Sequence, residues 1–217
     1  MEFIINGQGS DAVKIIMVLT LIGIAPFLLL MMTCFTRIVI VLSLLRNALG
    51  LQQTPPNQVL IGLALFITFF IMQPVLGEIN ETALQPYNDG IIETQEFLDR
   101  ASVPLKEFML AQTTVGEVEL FKDMSADQSV QQLEPAELPL HIVVPAFITS
   151  ELKRAFLTGF LIFIPFLIID MIVASTLMSM GMIMLPPVMI SLPFKVMLFV
   201  VVNGWGLLIK TLVMTYN

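Results

Sequence analysis

Four long apolar runs dominate the pattern of hydrophobic and polar positions in this chain. Each run is close to the ~20 residues that an α-helix needs to cross the ~30 Å hydrocarbon core of a bilayer. The pattern therefore predicts four membrane-spanning helices, over residues 15–32, 59–75, 155–177 and 188–213. Each run contains a proline, which we expect to kink the helix because it removes a backbone hydrogen bond. These prolines are Pro26, Pro74, Pro165 and Pro193.

Two proline pairs mark predicted turns between these helices. Pro55 and Pro56 precede the second run, and Pro186 and Pro187 precede the last one. A proline pair ends a helix, because neither residue donates a backbone N–H and the residue before each favours extended geometry. The sequence thus divides into an N-terminal helical hairpin (1–76), an extramembrane insert (77–140) and a C-terminal helical hairpin (141–217).

The insert differs sharply from the rest of the chain in charge. It contains 13 acidic and three basic residues, a net charge of −10, while the remainder carries +3. Apolar residues at helical spacing over residues 91–110 predict two short amphipathic helices separated at Pro104. The polar segment 125–138 has no such spacing and is predicted to be a loop.

Composition supports a membrane protein. Only 12% of the residues are charged, half the ~25% that is usual in soluble domains. Arg37 and Arg46 flank the first predicted turn, and cytoplasmic loops are enriched in basic residues. The fold predicted from the pattern is an all-α integral membrane protein with two proline-kinked helical hairpins and an acidic, partly helical extracytoplasmic insert.

Several classes of function are disfavoured by the residues that are present. The sequence has one cysteine, Cys34, and one histidine, His141, so neither an internal disulfide nor a zinc site is expected. The chain has no P-loop and no G-x-S-x-G motif, which argues against ATP binding and acyl transfer and gives no sign of a cofactor. An acidic protein without a basic stripe is a poor nucleic-acid binder. Because the catalytic motifs named above are absent, we expect no enzyme activity.

Three charged residues lie within or beside the apolar runs of the second hairpin: Glu151, Asp170 and Lys195. A charge inside a bilayer costs roughly 2.5–3.5 kcal/mol on insertion scales. Either these groups are solvated at helix ends, or they pair between helices or between subunits; a proton relay is a further alternative. Counting from Pro186, a straight returning helix places Asn203 opposite Asp170. The same count puts Glu151 and Lys195 at different levels, so their pairing requires a second bend or a neighbouring subunit.

Methionine is concentrated around the second proline pair. Seven of the 15 methionines lie between residues 171 and 197. Gly181 and Pro186 bracket Met182, Ile183 and Met184, which places this trio in a turn. A methionine-rich run is usually core filling, because the side chain adapts to irregular gaps. If several copies surround an axis, however, these turns would form an apolar ring that closes by dewetting.

Three stretches resemble the FliP/SctR family of type III export gate proteins. They are residues 32–72, residues 144–175 and residues 180–195, the last reading MGMIMLPPVMISLPFK. The resemblance covers most of the chain outside the insert and the N-terminus.

The resemblance implies an assembly that the residues alone do not reveal. Family members form a homo-oligomer of five copies with FliQ and FliR, a helical, conical export gate in the bacterial cytoplasmic membrane at the flagellar basal body. Unfolded flagellar subunits pass through it, and other export apparatus proteins and membrane lipid contact it. The family's methionine gasket falls on Met182, Ile183 and Met184, where isoleucine replaces the more usual methionine. Its sensitive charged positions fall on Glu151, Asp170 and Lys195.

Two other functions compete with the pore-forming subunit. One is a proton- or solute-coupled small transporter that uses Asp170 and Glu151. The other is a membrane-anchored interaction protein whose acidic insert is the working part.

Overall fold

The computed structural model describes residues 30–182 and 184–216, together with residues 16, 19, 20, 23, 26 and 27. Over these residues every regular element is a helix. Most of the predicted first span and Ile183 of the predicted ring lie outside the described residues.

Seven helices form the described part of the chain: α1 (Phe35–Ala48), α2 (Asn57–Ile79), α3 (Thr94–Gln112), α4 (Val115–Asp123), α5 (Leu140–Ser179), α6 (Pro187–Val201) and α7 (Gly204–Met214). A π-helical turn (Asn80–Leu84) and one α-helical turn (Gln85–Asn88) extend α2 without a break. Two 3₁₀ turns, Gln128–Gln132 and Pro135–Glu137, lie in the segment that was predicted to be a loop.

Several prolines lie inside helices, and the predicted break at Pro104 is absent. Pro104 lies inside α3, so the predicted pair of short helices is a single 19-residue helix. Pro165 lies inside α5, which begins at Leu140 and runs for 40 residues. A proline deletes a single backbone hydrogen bond, and the rest of the ladder holds the helix together. In apolar surroundings no water competes for those bonds.

The sharpest break lies at Asn203 instead. α6 and α7 meet there at 63°, so the predicted fourth span is a broken one. Asn203 adopts φ 52° and ψ 50°, a left-handed conformation that asparagine tolerates better than most residues. Of the described helices, α2 with its extension and α5 are long and apolar enough to cross a membrane, and the bent pair would be a third span.

α1 lies at the centre of the main core. Its buried residues recur every three or four positions, as in Ile38, Leu42 and Leu45, and face α5 and α2. A Cβ atom at Gly159 of α5 would lie 2.1 Å from Leu44 Cδ1 and 3.0 Å from Leu44 Cβ, so a larger residue would require Leu44 to move away from α5.

A second apolar cluster joins the insert to the first part of α5. Met109 of α3 and Leu138 pack there against Val143 and Phe147 of α5. The acidic insert is therefore attached to the helical body through apolar contacts.

Candidate functional site

A buried ion pair joins the start of α1 to α5. Arg37 Nε donates to Glu151 Oε2 at 3.0 Å, and Arg37 Nη2 donates to Glu151 Oε1. Both side chains are almost completely buried. This two-pronged geometry fixes the orientation of the guanidinium as well as its position.

Two residues after α7 complete this network. The Tyr216 hydroxyl donates to Glu151 Oε2 at 2.5 Å, and the Arg37 guanidinium lies 4.0 Å from the centre of the Tyr216 ring. Arg37 Nη1 also donates to Thr215 Oγ1 at 3.3 Å. The carboxylate therefore accepts three side-chain hydrogen bonds, which makes its burial tolerable because a buried charge needs full compensation.

Helical spacing places both charges on buried faces. Arg37 lies four residues before Val41, and Glu151 lies four residues from both Phe147 and Ala155; all three of these apolar residues are buried. Residues four apart lie on the same side of a helix, so the charges must enter the core with their neighbours.

A second ion pair joins α5 to α6. Lys195 Nζ donates to Asp170 Oδ2 at 2.6 Å and to the Ala48 carbonyl at 3.2 Å. Ser191 donates to Asp170 Oδ1 at 2.5 Å. Lys195 is buried, whereas the Asp170 side chain is 33% exposed. Ala48 is the last residue of α1, where the helix dipole favours a positive charge.

The pairing differs from the count made along the sequence. Asp170 meets Ser191 and Lys195, not Asn203, because residues 180–186 form the connection and do not belong to either helix. Asp170 lies nine residues before the end of α5, and Lys195 lies eight residues after the start of α6. Glu151 pairs with Arg37 of the same chain, so both ion pairs form without a neighbouring subunit.

Sequence reasoning did not identify Arg37 as a partner. It treated Arg37 as a loop charge that indicates orientation, whereas the residue is buried within α1. The available signal was its position in an apolar run. A buried arginine needs an acceptor, and Glu151 and Asp170 were the two acids in similar surroundings.

The methionine-rich turn extends beyond the second ion pair. Gly181 adopts φ 76°, which a residue with a Cβ atom rarely does, and Pro186 immediately precedes α6, which begins at Pro187. Met180 is exposed, the Met184 side chain is 98% exposed, and Met182 is partly buried. The turn therefore presents apolar side chains away from the core of this chain.

No metal centre accompanies these features. Across the described ranges, no three His, Cys, Asp or Glu side chains are grouped so that they could hold a metal ion.

Comparison with known proteins decides the family. The FliP family model matches residues 18–212. The chain belongs to the FliP family. It is 55% identical over 207 residues to the flagellar biosynthetic protein FliP of Bacillus subtilis, covering 95% of this chain and 93% of that protein. It is 50% identical over 213 residues to the protein of the same name from Aquifex aeolicus, covering 97% and 89%.

Membership of the FliP family makes this chain a flagellar biosynthesis component rather than an enzyme. Both ion pairs and the methionine-rich turn lie inside the matched range, whereas Thr215 and Tyr216 lie beyond it.

FliP-family membership also gives a context for the apolar surface that the chain leaves uncovered. One stripe on α5 recurs every three or four residues and is exposed throughout: Phe156, Phe160, Ile164, Leu167 and Met171. An apolar stripe of this length requires lipid or protein to cover it.

Proposed function

We propose that this chain is the core pore-forming subunit of the flagellar type III protein export gate. Five copies would assemble with FliQ and FliR in the cytoplasmic membrane at the basal body and pass unfolded flagellar subunits. The observation that carries the proposal is the exposed methionine-rich turn at the end of a hairpin whose two limbs are joined by Lys195 and Asp170.

The turn has the chemistry that a deformable seal needs. Methionine is unbranched and polarizable, so its side chain can refit around an irregular cargo. A ring of such side chains from several copies would exclude water when it is narrow and would yield to a polypeptide. Met182 and Met184 are the side chains that we assign to this ring, with Ile183 between them.

The ion pair gives the turn a firm base. Asp170 and Lys195 lie eight or nine residues from the ends of their helices, roughly 13 Å from the turn. Because Lys195 also binds the last carbonyl of α1, the hairpin is fixed to the core while its tip remains free of it.

The dimensions of α5 support an assembly of several copies. Its 40 residues span about 60 Å, twice the ~30 Å hydrocarbon thickness of a bilayer. The insert covers the first part of the helix, and the exposed stripe lies on the remainder. Neighbouring copies and partner subunits would cover the surface that lipid does not reach.

Replacing the two methionines tests the seal. Met182→Ala combined with Met184→Ala shortens two side chains per copy, so the closed ring should admit water and ions. We expect the resting membrane of cells that express the variant in the complete apparatus to leak small cations, measured as loss of membrane potential. The matched control is Met171→Ala with Met197→Ala, which removes two exposed methionines of the same hairpin outside the turn.

Equal membrane potential in the two double variants would contradict the role of the turn. A gate that assembles poorly would lower export without a leak, so the amount of assembled complex is measured in parallel.

The transporter alternative receives less support. Glu151 and Asp170 lie 19 residues apart on α5, roughly 28 Å along the helix, which is too far for direct proton transfer. Glu151 is also fully buried. The test remains transport of a small solute by the purified chain in liposomes, which Asp170→Asn would abolish if this alternative were correct.

A second alternative is that the acidic insert is the main interaction surface. Testing it requires substitutions that preserve the fold, not a deletion. Removing residues 110–135 would expose the apolar cluster on α5, since Val118 and Phe121 pack against it. Neutralising the exposed acids Glu96 and Asp123 leaves that packing intact. Unchanged flagellar assembly after this change would argue against the insert as the main functional surface.

A further inference from the structure

Two cavities adjoin along the seam between α5 and α7. The larger, about 320 Å³, lies beside the bend between α6 and α7, and the smaller, about 290 Å³, lies beside Arg37 and Arg154. Thr158 lines both cavities. Thr211 of the first and Thr215 of the second lie four residues apart, so the two cavities follow one another along the same seam.

The larger cavity is lined almost entirely by apolar side chains, among them Leu161, Pro165 and Leu208. From Arg154 to Pro165 the seam follows 11 residues of α5, roughly 16 Å. This length is about half of the ~30 Å hydrocarbon core, that is, the depth of one leaflet.

The other end of the seam is positively charged. Glu151 is fully buried and neutralises Arg37. Arg154 instead donates to the neutral Gln112 Oε1 at 3.0 Å and is only partly buried. Within the described residues the Thr158 hydroxyl makes no hydrogen bond. A guanidinium without a carboxylate partner and a free hydroxyl therefore lie at the mouth of an apolar groove.

We propose that this seam binds an anionic phospholipid. The headgroup phosphate would accept hydrogen bonds from Arg154 and Thr158, and one acyl chain would lie in the groove towards Pro165. Guanidinium matches phosphate in geometry and charge, so Arg154 suits a phosphate headgroup at the mouth of the groove. An anionic lipid matches both ends of the seam. Its negative headgroup fits the Arg154 end, and an apolar chain of one-leaflet length fits the groove. The proposal needs only that the chain lies in a membrane and is independent of the seal at the methionine-rich turn.

The chain contains a built-in probe for this site. Trp205 is the only tryptophan in the sequence. Its ring lies 5.4 Å from that of Phe199, and Phe199 lines the groove. Bromine atoms on the end of a bound acyl chain would therefore quench Trp205 fluorescence.

The experiment uses the purified full-length chain in detergent micelles. We expect brominated phosphatidylglycerol to quench Trp205 at about tenfold lower mole fraction than brominated phosphatidylcholine, because one charge-assisted contact is at stake. Arg154→Gln should remove that preference and Arg154→Lys should keep most of it. Lys153→Gln is the matched control, since Lys153 bears the same charge on the next residue but pairs with Glu117 at 3.4 Å. Soluble glycerophosphate should not compete, because it lacks the chain that fills the groove.

Three results would overturn the proposal. The first is equal quenching by the two lipids in the unaltered chain. The second is equal loss of preference in Arg154→Gln and Lys153→Gln. The third is no quenching by either lipid, which would indicate that a second copy of the chain covers the seam instead.

Discussion

Loss of the Glu151 carboxylate should destabilise this chain more than loss of any exposed charge nearby. Glu151→Gln keeps the shape of the side chain and removes its charge. In the native structure the carboxylate accepts two hydrogen bonds from Arg37 and one from Tyr216. After the change, Arg37 remains buried beside a neutral amide that cannot balance its charge.

The expected cost follows from burial. Breaking a buried ion pair by removing one partner costs about 3–5 kcal/mol. For a chain of this size, 1 kcal/mol shifts the unfolding temperature by about 2–4 °C, so the predicted loss is about 6–20 °C. Lys153→Gln provides the contrast two residues away on the same helix. The Lys153 side chain is 69% exposed and its bridge to Glu117 is 3.4 Å long, so its loss should cost about 0–1 kcal/mol.

Thermal unfolding of the purified variants in one detergent measures this difference. Arg37→Gln and the double variant Arg37→Gln with Glu151→Gln complete the cycle. Because each single variant leaves one buried charge, the double variant should lose less stability than the sum of the two, with a coupling of about 0.5–3 kcal/mol. A shift for Glu151→Gln no larger than that for Lys153→Gln would refute the reasoning.

Three further changes test other parts of the structure, each by thermal unfolding. Gly159→Val should cost about 1–3 kcal/mol, because its side chain would overlap Leu44 where a single Cβ atom already lies 2.1 Å away. Asn203→Val should destabilise the bend at φ 52°, whereas Asn203→Gly should be tolerated; equal effects would argue against a strained backbone there. Asp170→Asn should be more harmful than Asp170→Asn combined with Lys195→Met, since the double change leaves no buried ammonium without its carboxylate.

The long apolar runs located the main helices because a helix of about 20 apolar residues leaves an unmistakable pattern. α2 and α5 contain the predicted second and third spans. The break between α6 and α7 was missed because apolar residues continue on both sides of it. The signal that could have found it is the Asn203-Gly204 pair, since asparagine and glycine are the residues that most readily adopt positive φ.

A single proline misled the prediction. Pro104 lies within a continuous helix, whereas Pro55 and Pro56 lie in a connection between helices and Pro186 immediately precedes α6. An isolated proline removes one hydrogen bond, and packing of the α3 residues around it can offset that loss. Two consecutive prolines restrict two preceding residues as well, which no packing readily reverses.

The charged residues were found by sequence, but their partners were not. A carboxylate in an apolar run is costly, so the sequence indicated that it is paired between helices or subunits, solvated at a helix end, or part of a proton relay. It does not show which of several bases lies opposite, because Arg37 and Glu151 are 114 residues apart along the chain. Only the packing of α1 against α5 brings them together.

The two ion pairs have a common element in α1. Arg37 at its start holds Glu151, and the carbonyl of Ala48 at its end holds Lys195. Glu151 also accepts from Tyr216, which ties α5 to the segment after α7. Lys195 also binds Asp170, which ties α5 to α6 just behind the methionine-rich turn. Because one short helix makes both contacts, a displacement of α1 would disturb both the Glu151 contact and the Lys195 contact. The turn is therefore free of the core at its tip and held by α1 at its base. The proposed seal would need this arrangement in order to deform around cargo and then return to one closed position.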